Sequence, residues 1–181
     1  MSAPVHRYVA LLRGINVGSA NRISMTDLRA VFESLRYTDV TTLLQSGNVV
    51  FTAPRALGPA ATIALEDELA NTTGVRARIL VLDAEHFLEV ARANPLVPIA
   101  DNDSLLVVTF LDGAPPASLE VPADLAPEVL EIGESAIYQW CPLGVSKSVV
   151  PPKFFRSLGP EATARNWRTI TKIAGVLGET V

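Results

Sequence analysis

Two arginines (Arg13, Arg22), two asparagines (Asn16, Asn21) and two glycines (Gly14, Gly18) crowd one short polar stretch near the start of the chain. Glycines let backbone amides turn toward a guest, and guanidinium and amide side chains suit an anion or a nucleobase. None of these groups breaks bonds by itself, so the chemistry expected of the stretch is recognition. The spacing of Gly14 and Gly18 matches neither the dinucleotide fingerprint nor the phosphate loop with its Gly-Lys-Ser/Thr ending. Asn48, in the turn Gln45-Ser46-Gly47-Asn48, adds a further amide. For Asn16, Asn21 and Asn48 two readings stand side by side: contacts to a ligand, and turn formation by a residue that tolerates left-handed backbone.

A second cluster lies near the other end, in Thr163-Ala164-Arg165-Asn166-Trp167-Arg168-Thr169. Read as the start of the final helix, it places Arg165 and Arg168 where the helix dipole disfavours cations. An anion at that end would compensate them, and so would carboxylates of the chain itself, with Asn166 then serving only as a cap. The two clusters supply complementary parts, free loop backbone from one and a helix N-terminus from the other, and are expected to form one anion-receptive site.

Other chemistries find little support in the residues. Of the two histidines, His6 lies in a terminal segment expected to fray, and His86 lies between Glu85 and Glu89 as a surface histidine beside carboxylates. Cys141 follows a strand-like run, with Lys147 the only cation close to it in sequence, and reads as an inert thiol. There is no cysteine and histidine cluster of zinc spacing, and Asp101-Asn102-Asp103 is too short for a calcium loop. No catalytic residue, metal or cofactor is therefore assigned.

With 181 residues, 49% of them hydrophobic, the chain can bury a sizeable core in one or two domains. Its apolar runs fall short of the roughly 20 residues that span a bilayer, its first residues lack a signal-peptide pattern, and its single cysteine fits a reducing compartment. The expected location is the cytoplasm, with no membrane partner. The net charge of -4 argues against non-specific coating of nucleic acid. Its distribution is uneven: no Lys or Arg lies between Arg92 and Lys147, whereas the stretch from Lys147 onward is basic.

Elements that would position these groups follow from periodicity. Tyr8 to Leu12 reads as a buried strand, and Ser24 with Asp27 as the capping box of a helix whose apolar face is Leu28, Val31, Phe32 and Leu35. Strands around Val40 to Leu44 and Val49 to Phe51 flank the turn at Gln45 to Asn48, a helix carries Leu65 and Leu69, and a strand runs from Val75 to Leu82. This is the ferredoxin-like order βαββαβ. A helix capped by Asp83 and a Pro-bearing linker lead to a related second half, predicted as βαββα. It comprises a strand from Ser104 to Leu111, a short helix opening at Pro115-Pro116, the hairpin Val129 to Ile132 with Ala136 to Trp140, and the final helix. The expected class is α+β, with a ferredoxin-like subdomain over 1–82, a connecting helix and linker over 83–103, and a second subdomain over 104–181.

Three motifs, Arg13-Gly14-Ile15-Asn16-Val17-Gly18, Gln45-Ser46-Gly47-Asn48-Val49-Val50-Phe51 and Thr163-Ala164-Arg165-Asn166-Trp167-Arg168-Thr169, resemble those of a bacterial family known as domain of unknown function 1697. The resemblance implies a bacterial cytosolic α+β protein of ferredoxin-like character and brings no activity, cofactor or catalytic residue. The chain departs from that pattern at Ser19, where a second glycine is common, and at Arg36, where a glycine usually ends the first helix. The expected function is binding of an anionic or phosphorylated small molecule or nucleic acid through Arg13, Gly14, Asn16, Gly18, Asn21, Arg22, Asn48, Arg165, Asn166 and Arg168. An enzyme that positions an anionic substrate with the same groups, and a module that pairs with another protein, are the alternatives.

Overall fold

Eight strands alternate with five helices in the computed structural model, which describes residues 5–18 and 21–181. Ser19 lies outside the described residues. The chain divides into two compact units, Met1–Phe87 with Gly175–Glu179, and Leu88–Ala174 with Thr180–Val181.

The first unit contains β1 (His6–Arg13), α1 (Met25–Ser34), β2 (Thr38–Leu43), β3 (Asn48–Ala53), α2 (Pro59–Thr73) and β4 (Arg78–Asp83). Its strands form one antiparallel sheet in the order β2-β3-β1-β4, the ferredoxin-like arrangement. Successive side chains point to opposite faces of the strands, so Tyr8, Ala10, Leu12, Val49, Phe51 and Ile79 share a face and meet Leu28, Val31 and Phe32 of α1 and Leu65 and Leu69 of α2. Phe51 is central to this core, its ring 5.0 Å from that of Phe32 and 4.7 Å from that of Tyr37. His6, the first residue of β1, pairs with Ala53, so this end of the chain is held in the sheet where fraying is expected from the sequence.

Helix ends follow local chemistry. The Ser24 hydroxyl accepts from the Asp27 amide at 3.0 Å and donates to the Asp27 carboxylate at 2.7 Å, which fixes the start of α1. The helix ends in a Schellman motif: the Arg36 amide donates to the Glu33 carbonyl, and the Tyr37 amide to the Phe32 carbonyl. Arg36 occupies the left-handed position of that motif, at φ 65°.

The second unit holds β5 (Leu106–Phe110), β6 (Val129–Ile132), β7 (Ala136–Trp140), α4 (Pro152–Arg156) and β8 (Thr163–Asn166). Between the units' strands in the chain lies α3 (Ala84–Arg92), and α5 (Trp167–Leu177) follows β8. The second sheet has the order β6-β7-β5-β8, again antiparallel throughout. Counted within each unit, the strands of both sheets therefore lie second, third, first, fourth. A core of Leu125, Leu130, Ile137, Val150 and Phe154 packs with Leu119, Ile132, Phe155 and Leu158 in this unit.

Two expectations for this half are corrected. Thr163 to Asn166, expected only to lead into the last helix, is a fourth strand of this unit, because its backbone pairs with β5, Arg165 opposite Val108 and Asn166 opposite Val107. No helix forms after Pro115-Pro116; residues 111–128 connect β5 to β6 through turns, consistent with the density of proline and glycine there. In the stretch read as a linker, Val97–Ile99 forms a 3-10 turn, and Leu96 and Asn94 are buried.

Candidate functional site

In the first unit the opening loop and the hairpin turn meet. The Leu12 amide donates to the Gly47 carbonyl at 2.8 Å, and the Asn16 side-chain amide donates to the Gln45 carbonyl at 2.8 Å. Asn16 also donates to the Ile23 carbonyl, accepts from the Ile23 amide at 2.9 Å, and bonds through its own backbone to the Asn21 carbonyl. Asn21 donates to the Gly14 carbonyl at 3.2 Å. Both asparagines have positive φ, 53° for Asn16 and 51° for Asn21, as do Gly14 and Gly18. Asn48 is fully buried and donates to the Leu43 carbonyl at 2.9 Å and to the Ser46 hydroxyl at 3.1 Å. All three asparagines thus spend their amides on the turns that shape the loop.

The guanidinium groups remain on the outside. Arg13 and Arg22 are exposed, and Arg22 donates to the Gly18 carbonyl at 3.1 Å. Arg13 stands opposite Arg78 in the pairing of β1 with β4. Arg78 forms an ion pair with Glu66 at 3.2 Å, and Glu66 also accepts from the Ile79 amide at 2.9 Å, so one carboxylate ties α2 to the outer edge of β4. A cleft of about 360 Å³ beside this pair is lined by Glu66, Asp67, Arg76 and Arg78. Arg76 and Arg78 are absent from the set chosen by sequence. Their signal is the alternation Arg76-Ala77-Arg78 ahead of an apolar run, which marks one wet face of a strand.

Arg165, Asn166 and Arg168 belong to the second unit. Asn166 caps α5, its side-chain oxygen accepting from the Thr169 amide at 3.0 Å and from the Thr169 hydroxyl at 2.8 Å. The Arg168 amide donates to the Asp103 carbonyl at 3.3 Å, so two of the first amides of α5 already have partners within the chain. Arg165 extends from β8 and donates to the Ala164 carbonyl at 2.8 Å; burial of its guanidinium lowers its pKa to about 10, which still leaves it charged at neutral pH.

A polar network that the sequence reading does not anticipate surrounds Glu128, which is buried. One carboxylate oxygen accepts from the Gln139 amide, from the Ser148 hydroxyl at 2.8 Å and, weakly, from the Cys141 thiol at 3.9 Å. The other accepts from the Val149 amide at 2.9 Å. Burial, followed by the Coulomb effect of Glu128, pushes the Cys141 thiol up to about 12, so it stays protonated and is no nucleophile at neutral pH. The only trace of this site in the sequence is a lone Glu within Leu125-Ala-Pro-Glu-Val-Leu130. Among the described residues, no group of three or more His, Cys, Asp and Glu side chains is arranged to hold a metal ion, and no helix is long and apolar enough to cross a membrane.

The fold has a close counterpart among solved structures. The conserved bacterial protein SP0830 from Streptococcus pneumoniae superposes with a TM-score of 0.71 over 96% of this chain and 99% of its own, at 24% sequence identity, a likeness of fold. None of the curated proteins matches the chain. Residues 5–138 match the model of a protein family of unknown function, DUF1697, a span that takes in the whole first unit's sheet, its loop and hairpin, and the second unit as far as β7. The chain therefore belongs to the DUF1697 family.

Proposed function

We propose that this is a bacterial cytoplasmic protein that binds an anionic or phosphorylated small molecule at the end of its first sheet, where Arg13 and Arg78 face each other. The observation that carries this reading is that register: two like charges sit directly opposite across neighbouring strands, an arrangement that is destabilising by itself. Glu66 offsets Arg78, and Arg76 adds a further cation to the cleft that Arg78 lines. An incoming phosphate or carboxylate would relieve the repulsion and meet guanidinium forks suited to bidentate contact. The loop asparagines then act indirectly, holding the Gly14 and Gly18 turns that set Arg13 and Arg22 at the surface.

A small molecule is favoured over nucleic acid because Tyr8 and Phe51, the aromatic residues of β1 and β3, lie in the hydrophobic core and offer no stacking platform for bases. The test is thermal melting of the wild type, Arg13→Ala and Arg78→Ala with rising inorganic phosphate or nucleotide. Binding to the folded state raises the melting point with concentration, by the equivalent of about 2.7 kcal/mol at 100 times the dissociation constant. The expected result is a rise in the wild type that both variants lose. A flat wild-type response, or equal rises in all three proteins, would overturn the reading.

A further inference from the structure

The second unit contains a cavity that the anion reading leaves unused. It has a volume of about 90 Å³, and its walls include Leu125, Pro127, Glu128, Cys141, Leu143 and Lys147. Two of these side chains carry opposite charge, yet no ion pair joins them. Glu128 takes its hydrogen bonds from Gln139, Ser148, the Val149 amide and the Cys141 thiol. Lys147 is exposed at the rim, and among the described residues its ammonium has no hydrogen-bond or ion-pair partner. Among the described residues the second oxygen of Glu128 accepts from the Val149 amide alone, and since a carboxylate offers about four lone-pair sites, it retains acceptor capacity.

An anion and a cation that border one small space with apolar walls, and do not satisfy each other, are complementary to a guest bearing both charges. We infer that this cavity binds a small zwitterion, a free α-amino acid with a short aliphatic side chain. Its ammonium pairs with Glu128, its carboxylate pairs with Lys147, and its side chain lies against Leu125 and Leu143. The space is small, about 90 Å³, which favours a short aliphatic side chain over an aromatic one. Cys141 contributes a neutral wall, since its thiol is buried and bonded to Glu128.

The test is calorimetric titration of the full chain with L-alanine and L-2-aminobutyrate. Propionate and isopropylamine serve as analogues bearing one charge, and L-phenylalanine serves as the size control. Saturable binding is expected for the two small amino acids, with each single-charge analogue and phenylalanine weaker by at least about tenfold, the loss typical of one charge-assisted hydrogen bond. Lys147→Met should weaken L-alanine by a similar factor without moving the melting point of the unliganded protein, because the Lys147 side chain has no partner among the described residues and its backbone bond to the Gly144 carbonyl is kept in the variant. Absence of saturable binding by both small amino acids, equal binding of propionate or phenylalanine, or an unchanged affinity in Lys147→Met would overturn the inference. Arg13→Ala leaves this cavity intact, so the phosphate and amino-acid readings can fail separately.

Discussion

A Cβ placed on Gly47 would lie 2.6 Å from Cδ1 of Ile15 and 2.8 Å from Cβ of Leu12. The hairpin turn and the opening loop are therefore fitted to each other with no room for a methyl group, and Gly47 also has φ 78°, a left-handed conformation that costs a residue with a side chain. Overpacking at about 1–3 kcal/mol and backbone strain at about 1 kcal/mol combine. Gly47→Ala is expected to lose about 2–4 kcal/mol in urea unfolding, and a loss under about 1 kcal/mol would mean that the loop yields easily.

The end of α1 predicts a change in the other direction. Arg36 completes the Schellman motif from the left-handed region, where glycine is at no disadvantage, and both bonds of the motif, Arg36 amide to Glu33 carbonyl and Tyr37 amide to Phe32 carbonyl, are backbone to backbone. Arg36→Gly keeps those bonds and removes the steric cost, so the protein should gain about 1 kcal/mol, seen as a melting point higher by about 2–4 °C for a chain of this size. A lower melting point would show that the arginine side chain contributes more than its backbone costs.

Cys141 should show itself in alkaline unfolding. Its thiol ionises near 9.0 when the chain is unfolded and near 12 when folded, because burial and then Glu128 oppose the thiolate. Between those values the unfolded state has lost a proton that the folded state keeps, so stability present below pH 9 declines as pH rises toward 12. The wild type should therefore lose stability more steeply than Cys141→Ala across that window, and iodoacetamide at neutral pH should react with native Cys141 far more slowly than with a model thiol. Parallel pH profiles for the two proteins would contradict the assignment.

The sheets were legible wherever a short apolar run lay between recognisable turns, as in β1, β3 and β4, and helix caps were legible where a short polar residue preceded an apolar face, as at Ser24. β8 was not, because it is four residues long and runs into α5 with no turn residue between them, so Thr163 to Asn166 reads only as the approach to a capped helix. The same kind of limit governs the site. Asn16, Asn21 and Asn48 have one residue type and two possible uses, and only the positions of the backbone carbonyls show which is taken. Glu128 meets Gln139, Ser148 and Val149 across loops and a strand, and no spacing rule connects those positions.

Order of synthesis adds a consequence to the first unit's composition. Arg7, in β1, donates both ends of its guanidinium to the carbonyls of Val176 and Leu177, 3.0 and 3.2 Å away, in the segment that belongs to the same unit. Nearly the whole chain must leave the ribosome before the first strand to emerge can make these bonds. At about 5–20 residues per second the wait is on the order of ten seconds or more, far longer than hairpin and helix formation require. The nascent first unit can thus form its sheet early while this one tether stays open, and a chain that stopped before residue 176 would lack both acceptors for Arg7.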